Sequence, residues 1–161
     1  MNIRNVLESD YIPIVAVIDE WWGGRKMADM LPKLFFQHFT HTSFIVEQGK
    51  ERIGFLIGFV SQTDMNQAYI HFVGVHPSYR KATIATQLYE KFFDKVRELG
   101  CTEVRCVTSP VNRTSIAFHT RLGFRMEAGD RLVDGISVTT NYDGKGQDRV
   151  LFVKKFSLLD K

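Results

Sequence analysis

The stretch YRKATIATQL, residues 79–88, sets two cations, Arg80 and Lys81, and a run of small residues directly before a segment of helical periodicity. Backbone N–H groups at a helix start point outward without intrahelical partners, and the aligned peptide dipoles add partial positive charge there. Such a junction binds anions, phosphate groups among them. Thr83 stands where glycine would let a pyrophosphate lie against the backbone. Its Cβ narrows the approach, while its hydroxyl offers one extra donor and its N–H is kept. The alternative is that Arg80 and Lys81 are solvated charges at a helix start. Other chemistry is sparser. No Ser or Cys lies in a nucleophile–base setting, and the 5 histidines show no metal-ligand spacing, so no metal is expected. Cys101 and Cys106 are too few for a disulfide framework. Cys106 reads as a buried thiol inside a strand, and a reducing, cytoplasmic setting fits best.

The elements that must position that loop follow from pattern. A chain of 161 residues is read as one domain, 1–161, that buries roughly two thirds of its unfolded surface. Hydrophobic content of 44% with 24% charge argues against disorder. The net charge of +3 comes from 21 basic and 18 acidic residues that are interleaved, so no nucleic-acid partner is expected. No apolar run approaches the roughly 20 residues of a membrane span, so no membrane partner is expected either. The apolar patch Tyr11 to Ile18, between Asp10 and Asp19, lacks the marks of a signal peptide.

Residues 2–6 read as a strand. A helix capped by Ser9 or Asp10 runs to about Trp22, where WWGGRK breaks it, and a second covers about 28–39 despite Pro32. SFIVEQG, RIGFLIGFVSQ and QAYIHFVGVHP form an antiparallel meander. From Ile84 to Leu99 the period is 3.6, with Ile84, Leu88, Phe92 and Val96 on one face and Gly100 as the stop. TEVRCVTS is a strand, Asn112 caps a helix that stops at Gly123, and FRMEA and DRVLFVKKF are strands. Residues 128–147 are left as a long, turn-rich connection, either a binding loop or a mobile one.

Two blocks carry a family resemblance. GVHPSYRKATIATQLYEKF resembles the acyl-CoA-binding motif of the GNAT (GCN5-related N-acetyltransferase) superfamily, at Val75, Pro77, Arg80, Thr83 and Ala85. NRTSIAFHTRLGF, from Asn112 to Phe124, resembles its later helix-plus-strand motif, and the element order agrees over nearly the whole chain. Glycine is missing at Lys81 as well as Thr83. The resemblance implies a mixed α/β, three-layer fold with a central twisted mixed sheet of about seven strands and helices on both faces. It also implies an acetyl-CoA-dependent N-acetyltransferase, with acetyl-CoA as acyl-donor cosubstrate and a small-molecule amine as acceptor. The alternative is a non-catalytic acyl-CoA-binding module.

The same resemblance assigns residues. Main-chain groups of Val73, Gly74 and Val75 would bond the pantetheine arm, and one N–H there the thioester oxygen. Arg80, Lys81, Ala82, Thr83, Ile84 and Ala85 would hold the pyrophosphate, with Asn112 and Ser115 against the arm. His71 occupies the place of the usual glutamate base, and an imidazole of pKa near 6.5 suits that role; a structural histidine is the alternative. His119 stands where a tyrosine commonly protonates the leaving thiolate; a packed or solvent-facing ring is the alternative. Asn112 has its own reason to exist as a helix cap. Trp21, Trp22 and Arg25 lie where relatives shape the acceptor pocket, with at least one tryptophan expected in the core. Arg25, on a Gly23–Gly24 backbone, could pair with an acceptor carboxylate or phosphate. An exposed final strand would allow a homodimer.

Overall fold

The computed structural model describes residues 1–80 and 83–157. Its strands are β1 (Asn2–Asn5), β2 (Phe44–Gln48), β3 (Glu51–Val60), β4 (Gln67–Val75), β5 (Glu103–Thr108), β6 (Arg125–Met126), β7 (Arg131–Val133), β8 (Ile136–Val138) and β9 (Val150–Lys155). Among the described residues one sheet runs β1-β2-β3-β4-β5-β9-β6, and β7 pairs with β8 as a separate hairpin. Every pairing is antiparallel apart from β4 with β5. The helices are α1 (Tyr11–Val15), α2 (Ile18–Trp21), α3 (Leu34–His38), α4 (Ile84–Glu98) and α5 (Arg113–Arg121).

The sheet has a core on each face. On one side α4 lays Ile84, Leu88, Phe92 and Val96 onto the strands, as their spacing of four predicts, and the α5 side chains Ile116 and Phe118 pack beside them. Gly100, at φ +95°, ends α4 in the left-handed conformation that glycine tolerates best. On the other side Ile14, Ile18, Trp21, Leu31 and Phe36 cover Ile45, Phe55 and Ile57. This is the three-layer mixed α/β arrangement implied by the sequence.

Four expectations need correction. The segment 10–22 is two short helices with a break at Ala16–Val17, because the β-branched residues Ile14, Val15, Val17 and Ile18 favour helix weakly. The segment 28–39 is a 3-10 turn, Ala28–Met30, followed by α3, because Pro32 holds Leu31 out of the helical region at φ −133° and ψ 63°. Residues 128–147 are not structureless. They contain the β7–β8 hairpin, turned by Asp134 and Gly135 at φ 50° and 80°, as a two-residue hairpin turn requires. The final strand is not the edge of the sheet either: β9 lies between β5 and the two-residue β6, which pairs with its Phe152 and Val153.

Candidate active site

β4 and β5 are paired at three positions only, Gln67 with Glu103, Ala68 with Val104 and Tyr69 with Arg105. Beyond Tyr69 they part. β5 continues against β9 through Thr108, whereas β4 keeps β3 alone as its neighbour. A bulge marks the point of departure. Ile57 lies opposite Phe72 and Gly58 opposite Ile70, so His71 is an extra residue in β4, and such an insertion bends and twists the strand that carries it. The result is a gap in the sheet with one bare strand edge, Ile70 to Val75, among the described residues.

A 3-10 turn, Pro77–Tyr79, joins the end of β4 to α4, which places the N-terminus of α4 at the mouth of this gap. Thr83 precedes α4 at φ −86° and ψ 24°, a conformation any residue adopts, so its own position asks for no glycine. Its hydroxyl accepts a hydrogen bond from the Gln87 amide, 2.8 Å, and makes no cap to the first turn. The leading N–H groups of α4 therefore keep their capacity to hold an anion. Ile84 is buried in the core, so only its main chain could serve a ligand. Lys81 and Ala82 lie outside the described residues. Arg80 turns its guanidinium away from the helix: Nε donates to the Val75 carbonyl at 3.1 Å, and Nη2 donates to the Trp21 carbonyl. Of the β4 groups expected to bond an arm, the Val75 carbonyl is thus already engaged.

His71 lies on the α3 side of the gap. Its ring stacks on Phe35, 4.4 Å between centroids at 14°, and Nε2 is 2.5 Å from the Met30 carbonyl. A carbonyl only accepts, so Nε2 carries the proton and Nδ1 keeps a lone pair. Neither support was foreseen from sequence. The signal was Pro32, which ends the 3-10 turn and leaves the Met30 carbonyl without a helical donor.

His119 is placed otherwise. It is 6% exposed, stacked on Phe152 at 5.0 Å, with Nδ1–H donated to the Ser115 carbonyl at 2.7 Å and Nε2 accepting from the Tyr89 hydroxyl at 2.9 Å. Burial holds its pKa below the ordinary 6.5, against the opposing pull of the Ser115 carbonyl. Both ring nitrogens are thus engaged inside the core, the packed placement that was the alternative to an acid. Asn112 caps α5 by accepting from the Ser115 N–H at 3.1 Å, which meets its structural role.

The two tryptophans divide. Trp21 is 4% exposed and stacked on Phe55, so it belongs to the core. Trp22 is half-buried, 5.1 Å from Phe72, and reaches over Gly74, where a Cβ would come within 2.9 Å of its ring. Arg25 is exposed on the loop that follows Gly23 and Gly24, at φ 67° and 91°. Across the gap, a cavity of about 480 Å³ opens where Ser109 and Pro110 leave β5, walled by Arg113, Arg131 and Asp134. Among the described residues no cluster of His, Cys, Asp and Glu could hold a metal ion, and no helix is long and apolar enough to cross a membrane.

Known proteins share this architecture. A protein from Escherichia coli, the ribosomal-protein-S18-alanine N-acetyltransferase, superposes with a TM-score of 0.69 at 19% identity, over 98% of this chain and 94% of that one. A GNAT-family structure from Desulfovibrio desulfuricans gives 0.78 at 18% identity, over 96% and 98%. In sequence, an L-2,4-diaminobutyric acid acetyltransferase of Nocardia farcinica is 28% identical over 95 residues, 59% of this chain. That match spans only about half, 49%, of the relative's length. The sequence profile of the acetyltransferase (GNAT) family matches residues 5–124. With the parted strands and the helix N-terminus at their mouth, that match identifies the chain as a member of the acetyltransferase (GNAT) family.

Proposed function

We propose that the chain is an N-acetyltransferase that moves an acetyl group from acetyl-CoA to the primary amine of a small molecule, by direct attack of the amine on the thioester. The observation that carries this reading is the parting of β4 from β5 directly beside the N-terminus of α4. Acetyl-CoA supplies the acyl group already activated as a thioester. The first-turn N–H groups of α4, with the Thr83 and Ala85 main chains, would hold its phosphates. The bare edge at Val73 and Gly74 would bond its arm.

His71 Nδ1 takes the proton that the amine sheds as it attacks. The ring is held for this by Phe35 beneath it and the Met30 carbonyl on Nε2. An N–H on the same bare edge stabilises the oxyanion that develops on the thioester carbonyl oxygen, and as that intermediate collapses the C–S bond breaks and coenzyme A leaves as its thiolate, which takes a proton from solvent. Trp22 and Arg25 wall the acceptor side. The Nocardia relative acts, by its name, on an amino acid, and Arg25 gives this chain a cation suited to a carboxylate.

Titration calorimetry with acetyl-CoA, followed by an amine screen read by thiol release, tests the reading. His71→Ala is expected to lower kcat about 100-fold or more, with the Kd for acetyl-CoA kept within a few-fold. Unchanged turnover in that variant removes His71 as the base. The second reading, a module that binds acyl-CoA and acetylates nothing, is favoured by the core placement of His119. Cofactor binding with no turnover of any amine would select it.

A further inference from the structure

The Arg80 side chain runs from the loop before α4 to the corner after α2 that packs on β4. Its fork donates to two carbonyls that belong to different elements, Val75 at the end of β4 and Trp21 at the end of α2. Its Cζ also lies 5.9 Å from the centre of the Trp22 ring. The guanidinium is a rigid planar donor, so two carbonyls at once fix its plane as well as its place.

What it touches is the part of the acceptor wall that most needs holding. Behind Trp22 the chain passes through Gly23 and Gly24, both in the left-handed region, which gives the corner little stiffness of its own. Asp19 closes the far end of that corner by accepting from the Met27 and Ala28 N–H groups. On the near side the indole rests on Phe72 and over Gly74, and Arg80 covers it. A cation over an indole face stabilises the pair, and the carbonyl bonds keep the cation there.

We propose that Arg80 is a positioning residue for the acceptor site, holding Trp22 against β4 so that the indole walls the gap. On this assignment the motif arginine serves the acceptor side, and the main chain of the loop serves the phosphates. The proposal rests on the acetyltransferase reading of the gap, and the experiment keeps the two apart.

Arg80→Ala and Arg80→Lys are each compared with the wild type. Three quantities are read: acrylamide quenching of tryptophan fluorescence without cofactor, the Kd for acetyl-CoA, and KM against kcat for the best amine. Trp22→Phe assigns the emission, since Trp21 stays buried. Both variants are expected to raise quenching and to raise KM about tenfold, with Kd within about threefold and the loss falling in KM rather than kcat. Lysine does not rescue, because an ammonium cannot hold two carbonyls and the ring face together.

Unchanged quenching overturns the proposal, whatever turnover does. So does a tenfold loss of acetyl-CoA affinity with KM unmoved, which would give the guanidinium to the phosphates. A wild type that neither binds acetyl-CoA nor acetylates any amine overturns the acetyltransferase reading itself. Raised quenching in that case would reduce the Arg80–Trp22 contact to packing alone.

Discussion

His71 and His119 are the same side chain under opposite constraints. The first has one ring nitrogen pinned by Met30 and one with a lone pair to use; the second has both nitrogens engaged inside a shell of aromatic rings. Residue type therefore identified two candidates, and only neighbours could separate them. Thr83 teaches the converse. A threonine replaces the glycine of the motif, yet its φ of −86° asks for no glycine, and its hydroxyl is turned to Gln87. Thr83→Gly is accordingly expected to leave the Kd for acetyl-CoA equal or tighter by calorimetry. A tenfold weakening would show that the hydroxyl itself contacts the ligand.

At the scale of elements, α4 depends on a glycine in the strand below it. A Cβ on Gly58 would stand 2.4 Å from the Phe92 ring and 2.9 Å from the Tyr69 carbonyl, so the helix rests on the bare backbone of β3. Gly58→Ala is expected to cost about 1–3 kcal/mol through overpacking, read as a lowered midpoint in urea with an unchanged slope. The same helix was fully legible in the sequence, because its apolar row and its Gly100 stop are local signals. The meander was legible for the same reason. The segment 10–42 was not, since its aromatic and β-branched residues are held by tertiary packing rather than by helix propensity. The hairpin has its Asp-Gly signal at Asp134 and Gly135, but strands of three residues each are too short to show alternation. The gap could not be read at all. It is a matter of register between β4 and β5, and the carbonyl that orients His71 belongs to a residue 41 positions away.

For the molecule as a whole, one buried carboxylate ties the helical layer to the sheet. Asp10 is inaccessible to solvent and accepts both Arg4 Nη groups at 2.8 Å, Arg52 Nε at 2.7 Å and the Leu7 N–H at 2.8 Å, while Arg4 also reaches Glu47. Three strands thus meet at the start of α1. Burial alone would raise the pKa of Asp10, but the bonds from Arg4, Leu7 and Arg52 outweigh it and hold the group at about 2, below its usual 3.8. A depressed pKa stabilises the fold where the unfolded chain's carboxyl is also ionised, above about pH 4. That share, about 2 kcal/mol, is lost as pH falls towards 2. Thermal melts between pH 7 and pH 2 are expected to show this loss in the wild type. Asp10→Asn is expected to be weaker by about 3–5 kcal/mol at pH 7, because two arginines lose their counter-charge, and to lose less on acidification. The place of β9 in the sheet carries its own consequence for the order in which the chain can fold. β2, β3 and β4 follow one another through short turns, and β1 precedes them all, so that half can close while synthesis continues. β5 and β6 are not paired with each other, and both wait for residues 150–155 to be inserted between them. Until that insertion, β5 offers a raw edge on the side that β9 will fill, and β6 has no partner in the sheet. It is in that interval, rather than in the finished protein, that the chain is most open to pairing with a stranger.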